Sequence, residues 1–192
     1  MSTFNLNITA IKMRGVNKLN QDLLKVIKKV KKNLPDVNEF NQTFQSPKLN
    51  PNTYPVFLDL FSKTKEHIVN MLKIYDVLFD NVDVSLPWVN INRPGEHDSS
   101  WNRKNCDTHF SVLYYLKVPK KSGEIFFYNP FADGNSFFLK QFKEENSSNA
   151  TFFKYTPDEN TLLMFPSNLK YAVERNISKS DCISIAFDVT IK

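Results

Sequence analysis

Three histidines, four glycines and two cysteines are all that this chain of 192 residues contains of those types. Two cysteines, Cys106 and Cys182, cannot build a disulfide scaffold and form no pair at metal-ligand spacing, so free thiols are expected. Four glycines make no Gly-rich phosphate loop and no nucleophile elbow, and neither cysteine joins a histidine in a recognisable catalytic motif. Asp and Glu are scattered without an evident acid–base pair. No apolar run approaches the roughly 18 to 20 residues of a membrane span, and the opening MSTFNLNITAIK lacks the basic-then-apolar order of a signal peptide. The expectation is a soluble, cytoplasmic protein without a membrane partner, in which the glycosylation-type triplets at Asn41, Asn146, Asn149 and Asn176 carry no weight.

What is present is aromatic and, in one place, basic. Hydrophobic residues make up 41% of the chain and include 17 Phe, enough for a real core in one domain. The net charge of +5 is local, because residues 12–33 hold eight Lys or Arg against one Asp, leaving 17 positive and 19 negative charges elsewhere. From Asn17, a plausible cap, Leu19, Leu23, Ile27, Val30 and Leu34 recur at spacings of three and four, which predicts a helix with one apolar stripe, ended by Pro35. Lys25, Lys28, Lys29, Lys31 and Lys32 spread around its remainder as a solvated face or a surface for an acidic partner.

The central stretch, SVLYYLKVPKKSGEIFFYNP over residues 111–130, reads as an aromatic hairpin. Val112, Tyr114 and Leu116 alternate with Leu113, Tyr115 and Lys117, and the return strand follows a turn at 119–123. Before it, Phe4 to Ile11 alternates as a strand. Residues 36–54 read as a connection, and a helix from Pro55 turns Phe57, Leu60, Phe61, Ile68, Met71, Leu72 and Tyr75 inward beside a half-buried or surface His67. A strand or bend follows at 77–84, WVNIN at 88–92 alternates again, and the pattern vanishes in the loop PGEHDSSWNRKNC at 94–106. After the hairpin come a long excursion to residue 156, the apolar TLLMF at 161–165, and strands at 168–173 and 182–191. Two helices before about eight strands predict an all-β core with helices: residues 1–84 pack a strand and two helices on a jelly-roll of residues 85–192.

WVNINRPG, SVLYYLKVPKKSGEIFFYNP, LLMFPSNLKYAVERN and ISIAFD, in that order, resemble consecutive blocks of the 2-oxoglutarate/Fe(II)-dependent oxygenase superfamily, in the branch common in bacteria and phages. The resemblance spans residues 85–190 and implies a double-stranded β-helix with helices on its larger sheet. It also implies a facial triad of two histidines and a carboxylate holding iron. Anchored on Trp101, the first two ligand positions fall on Asn102 and Lys104, the distal histidine on Tyr171, and the arginine that would pair with oxoglutarate on Cys182. Protonated lysine cannot ligate, and neither Tyr nor Asn is a usual substitute. A fallback set would be His97, Asp107 and His109, whose ligand atoms would have to reach roughly 2.0 to 2.2 Å from one metal. The plainer expectation is an exposed His97 and a His109 that starts a strand and hydrogen-bonds locally.

Sequence therefore favours a module with a degenerate site, no cofactor and a structural or interaction role, such as a phage virion component. The alternative is an active oxygenase using Fe(II) and 2-oxoglutarate with unorthodox ligands, acting on a protein or small molecule. Partner contacts are expected at Lys28, Lys29, Lys31 and Lys32 and at Phe131, Phe137, Phe138, Phe142, Phe152 and Phe153, giving self-association or a place in an assembly. Nucleic acid is the weaker partner, since no aromatic or Arg residues interleave the lysines.

Overall fold

The computed structural model describes residues 7–32, 43–74, 76–102, 108–130 and 150–192, with side chains at 99–102 outside the description. Thirteen elements follow in order: β1 (Thr9–Lys12), α1 (Asn17–Lys32), β2 (Phe44–Gln45), α2 (Val56–Ile74), β3 (Val82–Val84), β4 (Trp88–Asn92), β5 (Asp98–Asn102), β6 (Phe110–Lys117), β7 (Ile125–Tyr128), β8 (Phe152–Tyr155), β9 (Thr161–Pro166), β10 (Tyr171–Val173) and β11 (Cys182–Ile191). Among the described residues the larger sheet runs β1-β9-β6-β11-β4-β2, with β3 on the far end of β11. The smaller runs β5-β10-β7-β8, and all pairings are antiparallel. This is a double-stranded β-helix with two helices on one sheet.

Alternation along the strands divides the apolar residues between two cores. Val112, Tyr114, Leu116, Ile183, Ile185 and Phe187 face the helices, where Leu19, Leu23, Ile27 and Val30 of α1 meet Phe57, Leu60, Ile68, Met71 and Leu72 of α2. Phe61, partly buried, sets its ring edge-on against Phe187 at 5.2 Å. Leu113, Tyr115, Leu163 and Phe165 turn the other way and meet Ile125, Phe127 and Tyr171 between the sheets. Val112, Leu163, Phe165, Ile125 and Phe127 are all buried, as the alternation predicts.

The structure corrects three readings of the sequence. Residues 111–130 are not a hairpin, because β6 pairs with β9 and β11 while β7 pairs with β10 and β8. The link at 118–124 instead crosses from one sheet to the other, with Lys121 and Gly123 at positive φ. The polar loop at 94–106 contains β5, whose sequence DSSWN shows no apolar alternation and which pairs through its backbone with β10. The connection at 36–54 contributes β2, two residues that extend the larger sheet beyond β4. Residues 1–6, 33–42, 75, 103–107 and 131–149 lie outside the description, and with them Leu34, Tyr75 and most of the excursion. Among the described residues, no helix is long and apolar enough to cross a membrane.

Tyr114 couples the larger sheet to α1, donating from its hydroxyl to Asn20 Oδ1 at 2.7 Å, while Asn20 Nδ2 reaches Asn160. Burial pushes the Tyr114 phenol up to about 12, partly offset by the Asn20 bond. A phenol raised above its unfolded value of about 10 stabilises the fold fully below pH 10, and the contribution is lost as pH rises toward 12. Tyr114→Phe should cost about 1 kcal/mol at neutral pH through the orphaned Asn20 acceptor. In denaturant titrations from pH 9 to 12 the gap between wild type and variant should narrow. A gap that widened with pH would contradict it.

Candidate functional site

The interior face of the barrel changes character along its length. On β4, Val89 and Ile91 face the helices, so Trp88, Asn90 and Asn92 share the inner face; on β11, Ile183, Ile185 and Phe187 likewise leave Cys182, Ser184 and Ala186 inside. The Ala186 and Trp88 end is apolar, and the Cys182 and Asn92 end is polar. At the polar end the sheets enclose a cavity of about 40 Å³, lined among others by Thr43, Asn90, Asn92, Asp98, Tyr115, Tyr171, Cys182 and Ser184. A second, outer hollow of about 530 Å³ shares Ser122, Gly123, Glu124 and Pro157 with it and is lined by both basic residues, Lys120, Lys121 and Arg175, and acidic ones, Glu124, Asp158 and Glu174.

Tyr171 and Cys182, far apart in sequence, both line this cavity. Tyr171 is buried with its ring tilted or edge-on to Phe165 at 5.3 Å and Phe127 at 6.4 Å, and its backbone pairs with Asn102 across β5 and β10. The Cys182 thiol is pushed up by burial, with a hydrogen bond to Ser122 opposing. Burial first, then the neighbouring Cys182 and Tyr171, holds the Tyr115 phenol well above its usual range. The cavity therefore keeps the Cys182 thiol and the Tyr115 phenol protonated at neutral pH.

The loops at its mouth are tied by Asn176, which is fully buried. Its Nδ2 donates to the Asn92 carbonyl at 2.7 Å and the Ser180 carbonyl at 3.0 Å, and its Oδ1 accepts from the Ser178 N–H at 3.0 Å. The glycosylation-type triplet there is thus structural: the amide is consumed in joining the start of β11 to the end of β4.

His97 and His109 are not brought together. His109 immediately precedes β6, at the other end of that strand from Tyr115, is exposed, and accepts the Ile191 N–H at Nδ1 over 3.1 Å. His97 is half-buried rather than exposed, its Nδ1 buried without a partner, beside Asp98 in a shallow outer groove with Phe126 and Phe152. Asp107, Lys104 and Cys106 lie outside the described residues, as does the side chain of Asn102. Among the described residues, no three His, Cys, Asp or Glu side chains are grouped to hold a metal ion.

Of the expected contact residues, Lys28, Lys29 and Lys32 are exposed on α1, whereas Lys31 is bound to Asp181 at 2.5 Å. Phe152 is exposed beside Tyr128, and Phe153 is partly buried against the inter-sheet core. Phe131, Phe137, Phe138 and Phe142 lie outside the described residues. Sequence reasoning missed Thr43, Asn90, Asn92, Asp98 and Ser184. The available signal was polar residues at alternate positions in strands whose other face is apolar.

A barrel of two antiparallel sheets with a cavity at one end of its interior is the architecture of the 2-oxoglutarate oxygenases. The family described as "Putative 2OG-Fe(II) oxygenase" matches residues 87–188, and the chain belongs to it. HygX from Streptomyces hygroscopicus, solved with nickel and 2-oxoglutarate bound, is similar in fold at a TM-score of 0.64 and 13% identity, over 97% of this chain and 83% of that one. A Pseudomonas putida prolyl-4-hydroxylase gives 0.65 at 9% identity, covering 98% and 94%. The viral collagen prolyl hydroxylase of Paramecium Bursaria Chlorella virus-1, in a 2OG complex, gives 0.57 at 14%, covering 97% of each chain. Such identities establish fold alone. No curated protein matches the sequence.

Iron and oxoglutarate do not fit the donor set described here. A phenol, Tyr171, and a thiol, Cys182, occupy the two positions on β10 and β11 that the resemblance gives to a ligand and to the oxoglutarate arginine. No Lys, Arg or His lines the inner cavity among the described residues, while Asp98 and Glu124 do.

Proposed function

We propose that this chain is an oxygenase-like double-stranded β-helix that works as a structural or interaction module instead of carrying out the family's oxidation. The observation that supports it is the cavity itself, lined by Tyr171 and Cys182, the residues at the positions that the resemblance gives to a metal ligand and the oxoglutarate arginine, and among the described residues by no Lys, Arg or His. A jelly-roll stays folded without a metal because its core is built by strands and helices, so loss of the chemistry need not mean loss of the fold. Attachment would use the exposed lysines of α1 against an acidic surface and the excursion around Phe152, in a homo-oligomer or a larger assembly. A virion component is the form of assembly in keeping with a family common in phages and a chain rich in Asn, Lys and Phe.

Metal analysis of protein purified without chelators, joined to calorimetric titration with oxoglutarate, tests the reading. Iron well below one equivalent and oxoglutarate affinity weaker than about millimolar are expected. Stoichiometric iron with oxoglutarate binding near micromolar would replace the module by a working oxygenase with unorthodox ligands, acting on a protein side chain or a small molecule. Light scattering at tens of micromolar addresses attachment separately, where a clean monomer counts against self-association.

A further inference from the structure

The outer face of the smaller sheet gathers rings and lysines that are scattered along the sequence. Ile125 and Phe127 of β7 point between the sheets, so Phe126 and Tyr128 point outward; on β8, Phe153 and Tyr155 pack inward and Phe152 and Lys154 point outward. Register sets Ala172, Phe126 and Lys154 in one row across β10, β7 and β8, and Phe152 opposite Tyr128 in the next. Lys170 joins this second row, its carbonyl accepting the Tyr128 N–H at 2.9 Å. The Lys154 ammonium stands 4.9 Å from the centre of the Phe126 ring and that of Lys170 5.7 Å from the Tyr128 ring, while Phe152 meets Tyr128 edge-on at 5.8 Å. Phe152 is 38% exposed, Lys154, Lys170 and Arg175 are exposed, and Phe126, Phe152 and Arg175 line a groove of about 380 Å³ on this face.

We propose that this face binds single-stranded nucleic acid, its bases stacked on Phe126, Tyr128 and Phe152 and its phosphates held by Lys154, Lys170 and Arg175. Every base has a flat π-face, so rings presented on a sheet accept a single strand whatever its sequence, whereas a duplex keeps its bases stacked on one another. Each lysine already stands beside a ring, and it need only turn from that ring to the phosphate of the base that stacks there. An apolar protein surface laid on the same rings would strip water from the ammonium groups without pairing them; a nucleic acid brings flat surface and anions together. The carboxylates lining the groove are Asp98, which is 9% exposed, and Glu174, whose Oε2 accepts the Glu124 N–H at 3.3 Å, so the three cations are in excess. The face lies on the far side of the smaller sheet from the barrel interior, and the inference goes beyond the module reading without depending on the loss of the family's chemistry.

The test is fluorescence anisotropy of the full chain with a labelled oligothymidylate of about fifteen nucleotides, near the upper site size of a single-strand platform. Saturable binding is expected, about tenfold weaker in Phe152→Ala with an unchanged salt dependence, since a stacking contact carries no charge. Lys154→Gln combined with Lys170→Gln should weaken binding and also flatten its salt dependence. If Phe152→Ala fails to fold, Phe152→Leu, which keeps the bulk and removes the ring, should weaken binding in the same direction. An abasic oligomer with the same number of phosphates, and polyglutamate, should each bind at least about tenfold more weakly, because neither has a face to stack. Equal binding of either polymer, no saturable binding of the oligothymidylate, or unchanged affinity in the folded Phe152 variant would overturn the proposal. A loss confined to Lys28→Gln, Lys29→Gln and Lys32→Gln together would give the binding to α1 and also overturn it, as would self-association that Phe152→Ala abolishes in a chain that binds no oligonucleotide. Stoichiometric iron or oxoglutarate binding would overturn the non-catalytic reading and leave this one standing, whereas silence from the oligothymidylate would overturn this one alone.

Discussion

Phe187→Ala is expected to destabilise the fold by about 3 to 5 kcal/mol, the range for emptying a fully packed aromatic site. Phe187 is entirely buried at the middle of β11, the strand paired with β6 on one side and β4 and β3 on the other. Its ring leaves the sheet toward the helices, where Phe61 meets it edge-on, so truncation removes apolar burial and an aromatic pair together. A cavity there cannot collapse easily, because the strand beneath is held in register on both sides. Leu58→Ala, on the same helix as Phe61 but 52% exposed, should change stability by less than roughly 0.5 kcal/mol. Equilibrium unfolding in urea measures both. A Phe187 loss below about 1 kcal/mol would mean that the sheet-to-helix core is packed far more loosely than its burial indicates.

Gly123→Ala is the other large effect, and it bears on the wall between the two hollows. Gly123 has φ of +95°, and a Cβ built on it would lie 2.4 Å from the Glu174 carbonyl oxygen and 3.3 Å from that of Arg175. Both neighbours are backbone, so neither can swing away as a side chain would. The crossing segment before β7 would have to separate from the loop after β10, at an expected cost of about 3 kcal/mol or more. Gly95 gives the comparison, since its φ is +89° but a Cβ there would meet nothing within 4 Å. Gly95→Ala should therefore cost only the backbone term, about 1 to 2 kcal/mol. Equal losses at the two positions would show that the close approach of the strand ends is not what Gly123 permits.

The apolar half of this fold is legible in the sequence because burial imposes a period. Val112, Tyr114 and Leu116 at spacing two, and Leu19, Leu23, Ile27 and Val30 at three and four, state which face is covered, and the structure covers those faces. β5 escaped because Asp98–Asn102, with Trp101 alone among polar residues, shows no apolar alternation, and it pairs through its backbone with β10, about seventy residues away in sequence. The supposed hairpin failed for a related reason. Alternation tells that residues 111–117 and 125–128 are extended but carries nothing about which strand each will pair with, and the link between them is long enough to cross from sheet to sheet.

The candidate site divides the same way. Sequence alone put Tyr171 and Cys182 at the positions that the resemblance gives to the distal histidine and the oxoglutarate arginine, because residue identity needs no coordinates. It also determined the two helices, the strand-rich remainder and the family. Only the tertiary structure decided that Tyr171, Cys182, Asn90, Asn92 and Thr43 share one cavity, that His109 stands at the other end of β6, and that Phe153 turns inward. The physical reason is that strand pairing is non-local. A side chain's face is set by its own strand, but the company it keeps is set by register with strands tens of residues away, such as Cys182 against Asn92 and Tyr171 against Asn102.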